Sequence, residues 1–439
     1  MSKGLQKVKL SFEDSSLTHY GGMLLFQQFC QKLGLRRLLQ RHIQWQRRSN
    51  HYHPTELIMT MIYIMVAGMK RISETRILPY NGYFQDLLGL NNFPDASTLR
   101  KFLKGLSIPE IEGLIRIHDM LRQKMFKLPG APSSLILDLD STVLPVYGWQ
   151  IEEANVGYNP KKWGRPSYHP LICFEGHTRD TWHGVLRPGD THAATDVKEF
   201  WQSCCQKIPK YQYRIRLRAD SGFYDHKFIE PLDEQGIGYA IVADMTKPVK
   251  ELIQTLRYRT FHKTGGWQAA QFTYQPSKWK KPHQFYVIRR PKPDHENQPA
   301  QRTLWQFQDY YYHTLVSNLP LSAPAVWYFY KKRCREESDI RELKESFPLS
   351  KIPTNSFSAN QAYFHLILLT YDLISWFKRL CLPPPWSSAT LQTIRMDLFF
   401  LAARLVNSAG KNQLKLPSRY PHQKLFTQTL RKINQLKIS

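Results

Sequence analysis

Two stretches constrain the fold more than any others: LILDLDSTV at 135–143 and YRIRLRAD at 213–220. Both alternate with period two, as strands with two distinct faces do. In the first, Leu135, Leu137 and Leu139 share one face, and Ile136, Asp138 and Asp140 the other. In the second, Tyr213, Ile215, Leu217 and Ala219 oppose Arg214, Arg216, Arg218 and Asp220. Between them, PLICFEGHTRDTWHGVL reads as two strands around a turn at Arg179-Asp180, and TDVKEFWQSCCQKI (195–208) as a helix capped by Thr195 or Asp196. Beyond Asp220, YDHKFIEPLDEQGI reads as a helix and GYAIVADM (238–245) as a fifth strand. Three strands, helix, strand, helix, strand predicts a mixed α/β sheet.

The flanks differ in texture. Residues 1–130 read as helical, with MLLFQQFCQKLGLRRLLQRHI spaced at a 3.6-residue period. DASTLRKFLKGL and SIPEIEGLIRIHDMLRQKMF are two capped helices joined by a short turn, the second opening on a Ser107-x-x-Glu110 capping box. They suit either a helix-turn-helix that reads DNA or plain helical packing. The sheet region occupies 131–246. Residues 247–316, rich in Trp, Tyr, Gln and Pro, read as an inserted β-rich subdomain. A second part of the core, 317–350, holds a helix at 324–346, and 351–439 reads as a helical C-terminal region (358–410) with a basic tail.

Sixty-one basic residues against 35 acidic ones give 439 residues a net charge of +26, which points to a polyanionic partner, nucleic acid first. The six cysteines include no C-x-x-C pair, so neither a zinc ribbon nor a disulfide framework is indicated, and a reducing cytoplasm fits. MSKGLQKVKL lacks a signal-peptide apolar region, and the longest apolar runs, 57–69 and 364–377, are too short to span a bilayer. No membrane association is expected.

YKKRCREESDIRELK (330–344) places Tyr330, Arg333, Glu337 and Lys344 within about 60° of one another on a continuous helix. An aromatic, a carboxylate and two cations on one stripe face something polar rather than a core. Asp138 or Asp140 ends the first strand, Asp220 ends the fourth, and a helix laid across those ends would present Glu337. Three carboxylates meeting there would repel unless cations joined them. Two Mg²⁺ ions, which seek oxygen ligands, would relieve that repulsion and clamp the oxygens of a phosphoryl displacement.

DLDST, RADSGFY and the Tyr330-x2-Arg333-x3-Glu337-x6-Lys344 run resemble the three catalytic motifs of bacterial insertion-sequence DDE transposases. The subclass is the one with that Tyr-Arg-Glu-Lys signature and an inserted β-domain. GYNPKKWGRPSYHPL and LRPGDTH are similar to that group too, and the likeness covers roughly 133–346. It implies an RNase H-like fold with an Asp-Asp-Glu triad, here Asp140, Asp220 and Glu337. Asp140 is preferred to its rival Asp138 because the family's acid precedes a Ser/Thr-Thr pair, here Ser141-Thr142. The triad would bind two Mg²⁺, with Mn²⁺ as substitute. A homodimer on paired ends, double-stranded DNA as terminal inverted repeats and target, and a bacterial, nucleoid-associated setting follow by the same analogy.

Around that triad, Arg333 and Lys344 would hold phosphates of the cleaved strand, and Tyr330 would bond a phosphate or stack. Arg218 faces the Asp220 side and would contact DNA or neutralise acids. Lys161, Lys162 and Arg165 surround Trp163, a mixture that suits a DNA backbone. In the insertion Trp267, with Trp279 and Trp305, is placed to stack on an extruded base, as related transposases do, or to form a small core. His169, His177, His183 and His192 read as structural or phosphate-contacting. The activity expected is metal-dependent cleavage of transposon ends and joining to target DNA. The alternatives are an RNase H-like nuclease without strand transfer and a DNA-binding protein with a decayed triad.

Overall fold

A computed structural model describes residues 10–45, 52–148, 150–159, 162–209, 214–262, 264–292, 310–408 and 411–437. The chain forms two compact units, Phe126–Arg341 and Met1–Met125 together with Glu342–Ser439.

The Phe126–Arg341 unit is built on a nine-stranded sheet. Its strands are β1 (Ser134–Ser141), β2 (Leu171–Glu175), β3 (Thr181–Val185), β4 (Arg214–Ala219), β5 (Gly238–Val242), β6 (Arg259–His262), β7 (Trp267–Tyr274), β8 (His283–Pro291) and β9 (Tyr310–Ser317). They lie in the order β3-β2-β1-β4-β5-β9-β8-β7-β6. The first three are antiparallel, while β1, β4 and β5 run parallel. This is the arrangement of an RNase H-like core. Leu135, Leu137, Leu139 and Leu217 are fully buried on one face. There they pack with Phe200 and Trp201 of helix α1 (Val197–Gln206) and Phe228, Ile229 and Leu232 of α2 (His226–Glu234). The period-two reading of those strands was correct.

The insertion is β-rich, but it is not a separate body. β9 pairs with β5 through Leu315↔Val242 and Val316↔Ile241, so the inserted strands extend the core sheet. Their apolar residues join two layers. Ala269, Tyr286, Ile288 and Leu315 meet α4 (Ala323–Lys331), and Val287 meets α3 (Lys247–Thr255). Four strands alone would bury little; added to an existing edge they need no core of their own. Trp305 lies outside the described residues.

The helix expected over 324–346 is two helices, α4 and α5 (Cys334–Glu345), separated at Lys332-Arg333. At the break, Arg333 N donates to Tyr330 O and Glu336 N to Arg333 O, both at 2.8 Å. These i→i+3 bonds tighten the turn. Tyr330 and Glu337 therefore share no single helical stripe.

In the other unit the apolar helices Pro54–Val66 and Phe357–Cys381 are almost wholly buried. Arg395 closes the end of the first, donating to Val66 O and Met65 O at 2.7 Å each. The two capped helices are present at Ala96–Gly105 and Ile108–Met125. Thr98 N donates to Asp95 Oδ1, and Ser107 N to Glu110 Oε2, both at 2.8 Å. The helical reading of 358–410 was wrong at its end. Pro383-Pro384-Pro385 follows the long helix, and Ala403–Ser408 pairs with Lys411–Lys415 as a hairpin against Leu17–Thr18. Part of the basic tail is a helix, Gln423–Gln435.

Candidate active site

Parallel pairing of β1 and β4 sets Leu139 opposite Ala219. One residue further along, Asp140 and Asp220 come out side by side at the carboxyl ends of adjacent strands, where α/β sheets place their ligands. Asp140 Oδ1 accepts from Ser141 N at 2.8 Å. Asp220 Oδ1 accepts from Gly222 N at 2.9 Å, capping the short turn after the strand.

Arg333 joins them. Its Nη2 lies 3.3 Å from Asp140 Oδ1 and 3.7 Å from Asp220 Oδ2, and donates to Leu139 O at 3.1 Å. Its Nε is 3.2 Å from Glu336 Oε2. The guanidinium is buried, and the surrounding acids hold it firmly charged despite that burial.

Glu337, in the first turn of α5, is exposed, whereas its neighbour Glu336 is buried. Burial raises the Asp140 carboxyl from 3.8 to about 6; Arg333 and the Ser141 N–H oppose this, while Asp220 and Glu337 add to it. The charges of Asp220 and Glu337 thus both act on Asp140. Glu336 was not anticipated. Burial raises its carboxyl well above the ordinary range; Arg333 opposes, and Asp140, Asp138 and Asp339 reinforce. Among the described residues neither of its oxygens has a hydrogen-bond donor in good geometry. The signal for it was its place three residues beyond Arg333, one helical turn away.

Asp138 is committed elsewhere. Arg218 grips it through Nε–Oδ1 and Nη2–Oδ2 contacts of 2.6 Å each, and Arg218 Nη1 donates to Phe329 O at 2.9 Å. Asp138 is 4 % exposed and Arg218 1 %. Of the two readings of Arg218, contact with DNA or neutralisation of an acid, the second describes this desolvated, bidentate ion pair inside the fold. The register that sets Asp138 opposite Arg218 creates it.

A further residue missed in the sequence is Arg179, in the β2–β3 turn with φ +64°. Its Nε donates to Asp339 Oδ1 and Oδ2 at 2.7 and 3.0 Å, and its Nη2 to Arg335 O at 3.1 Å. It thus grips α5 on both sides of Glu337.

Of the remaining candidates, Tyr330 stays within reach of the Arg333 and Asp220 charges, and the others are spread out. Tyr330 packs on Trp327 at 6.3 Å, and burial raises its hydroxyl to about 12. Lys344 is half-buried, seven residues beyond Glu337 along α5. Lys162 and Arg165 sit over the Tyr147 ring at 4.9 and 4.5 Å; Lys161 lies outside the described residues. Trp267 is half-buried, 6.0 Å from Trp327, with Arg290 at 5.7 Å. Trp279 belongs to the core, beside Tyr224 and His283. His169 Nδ1 donates to Thr191 O at 2.6 Å, so its Nε2, 3.1 Å from Ser141 Oγ, accepts from that hydroxyl.

Asp140, Asp220 and Glu337 offer only carboxylate oxygens, the donors that Mg²⁺ and Mn²⁺ prefer. Burial is the main cause of the raised Asp140 carboxyl, with the Asp220 and Glu337 charges adding to it, and a bound cation would act in the opposite direction. Chemically the set fits. As placed, among the described residues, no three His, Cys, Asp or Glu side chains converge closely enough to hold an ion. Arg333 supplies positive charge to Asp140 and Asp220 instead.

Among the described residues no helix is long and apolar enough to cross a membrane. No curated protein sequence matches the chain. Among solved structures, similarity is found to the cryo-EM structure of the piggyBac transposase synaptic complex with hairpin DNA. That match has 13 % identity and a TM-score of 0.44, over 95 % of this chain and 81 % of that one. A second is the Mos1 transposase paired-end complex with left transposon end, at 9 % identity and a TM-score of 0.18, over 45 % of this chain and 60 % of that one. The family profile described as transposase DDE domain group 1 matches residues 2–438, and the chain belongs to that family of DDE transposases.

Proposed function

We propose that this chain is a cut-and-paste DNA transposase with Asp140, Asp220 and Glu337 as its catalytic acids. The observation that carries the reading is the meeting of Asp140 and Asp220 at adjacent parallel strand ends, with Glu337 acting on the Asp140 charge. When bound there, two Mg²⁺ or Mn²⁺ ions would activate water, and later the freed 3′-hydroxyl, for attack on a phosphodiester. The residues of the chain do the rest. Asp140 and Asp220 are aimed by the backbone N–H groups of Ser141 and Gly222. Arg333 balances the charge of both acids, and its fork would hold a phosphate of the cleaved strand. Lys344, further along the Glu337 helix, holds another phosphate. Lys161, Lys162 and Arg165 support the backbone beside the site, and the net charge of +26 supplies the longer-range attraction.

In this reading 1–130 binds the terminal inverted repeats. Residues 131–246 and 317–350 carry the chemistry, 247–316 lines the DNA, and 351–439 supports the helical unit. Two protomers assemble on paired ends, in a bacterial cytoplasm on the nucleoid. The test is incubation of the chain with Mg²⁺ and DNA bearing the inverted repeats of its own element. Cleaved ends joined to target DNA are expected. Nicking without joining would leave a nuclease, and binding without cleavage a decayed enzyme.

A further inference from the structure

We propose that the loop between Pro145 and Ser167 is an arm that stacks an unpaired DNA base on Trp163 while Lys162 and Arg165 hold the adjoining phosphates. The proposal rests on the transposase reading and adds to it a base-holding residue outside the insertion.

The root of the loop is tied to the acid end of the sheet. It leaves β1 directly after Asp140-Ser141. Leu144 and Pro145 then pair with Tyr168 and Ser167, and Val146 N donates to Pro166 O at 2.9 Å. His169, just beyond, receives the Ser141 hydroxyl at 3.1 Å. Tyr168 Oη donates to Glu152 O at 2.7 Å, folding the loop back on its root. Gly157 lies so close to the 188–190 turn that an added Cβ would stand 2.0 Å from Gly189 O. These contacts place the arm next to Asp140 and restrain its base.

The outer part shows the opposite character. Tyr147 is 64 % exposed, Tyr158 75 % and Trp163 89 %. Large aromatic side chains left in water on a basic protein are unusual unless a partner covers them. Here the cations are interleaved with them: Arg165 and Lys162 lie over the Tyr147 ring. Rings that offer a face, beside cations that follow a backbone, are the combination that holds single-stranded nucleic acid. The charge of the whole chain favours the same occupant. In the insertion, by contrast, Trp267 already packs on Trp327 and lies near Arg290, and Trp279 is in the core. Among the described residues Trp163 is the indole most exposed to solvent.

The test uses the full chain, in Ca²⁺ for binding and in Mg²⁺ for cleavage, with two probes: a blunt duplex ending in the inverted repeat, and the same duplex carrying a short single-stranded overhang with 2-aminopurine. Stacking predicts that the overhang binds roughly tenfold tighter and that its fluorescence is quenched. Trp163→Ala should abolish both the advantage and the quenching, and Trp163→Phe should keep most of each. The side chain is solvent-exposed, so loss of fold is not the expected cause, and circular dichroism checks it. Retention of advantage and quenching in Trp163→Ala overturns the proposal. So does their loss in Trp267→Ala alone, or an equal loss of affinity for both probes. Asp140→Asn separates the two levels. If the wild type binds and cleaves, Asp140→Asn binds without cleaving, and Trp163→Ala still quenches, only the arm is refuted. A wild type that neither prefers nor cleaves these ends refutes the transposase reading first.

Discussion

Arg333 reaches from the turn ahead of α5 to within 3.3 Å of Asp140 and 3.7 Å of Asp220, so one buried guanidinium balances two acids carried on different strands. A cation at that place competes with any metal that the same acids would bind.

The first prediction follows from that competition. Arg333→Gln removes a buried positive charge and leaves Asp140, Asp220 and Glu336 facing one another. The variant should lose about 3 kcal/mol of stability without metal, within the range for breaking a buried pair. Mg²⁺ should raise its melting temperature more than it raises that of the wild type. Arg333→Lys should recover little, because a point charge cannot reach three acids as a planar fork does. Equal metal stabilisation in both proteins would show that Arg333 and the ions do not share a place.

Asp138 and Asp140 should fail in different ways. Asp138→Asn leaves the Arg218 guanidinium buried without its partner, at a cost of about 3–5 kcal/mol, and thermal melting should show it. Asp140→Asn should stop cleavage while the fold holds. Its pH dependence has a definite sign. The Asp140 carboxyl is raised from 3.8 to about 6 in the fold, so across that window the folded chain binds more protons than the unfolded one. Wild-type stability should therefore fall as pH rises from about 4 to about 6, by roughly 1–3 kcal/mol from this group. Asp140→Asn should lack that part of the slope and be the more stable protein at pH 7. An identical slope in the two would place the titration elsewhere.

The sheet was legible because period-two alternation survives whatever surrounds it: Leu135, Leu137 and Leu139 had to face one way. The acids proposed as catalytic could be nominated because strand ends and a spaced signature mark them. What could not be read were the partners. Asp138 and Arg218 stand 80 positions apart, and only the β1–β4 register brings them together. The run KKRCREES looks helical by composition, yet the helix breaks at Arg333, whose side chain bonds to Leu139 O of another strand. Propensity cannot report such a pull. The insertion read as a β-rich subdomain, and its pairing with β5 could not be read because it is likewise long-range. Arg179 gave no signal, since a turn arginine is ordinary until its Asp339 partner is known.

That partnership gives a third prediction. Arg179 and Asp339 should be coupled in holding α5, so Arg179→Ala and Asp339→Ala should each slow cleavage by about tenfold or more through misplacement of Glu337. The double variant should be little worse than either single one, as contacting pairs are non-additive. Full additivity in a double-mutant cycle of cleavage rates would mean that the two act separately.

Affinity for DNA should be steeply salt-dependent. Each phosphate neutralised contributes a slope of about −0.9 in log K against log salt. Lys162→Gln and Arg165→Gln should each make the slope shallower by about one contact in fluorescence-anisotropy titrations. A slope unaffected by both would take this loop out of the DNA path.

The central claim is that Asp140, Asp220 and Glu337 form one metal site, and counting bound Mn²⁺ by electron paramagnetic resonance on the DNA-bound chain tests it most directly. The account predicts about two ions per chain in the wild type. It predicts fewer in each of Asp140→Asn, Asp220→Asn and Glu337→Gln, with cleavage lost in step. Unchanged Mn²⁺ occupancy in any of the three would contradict it.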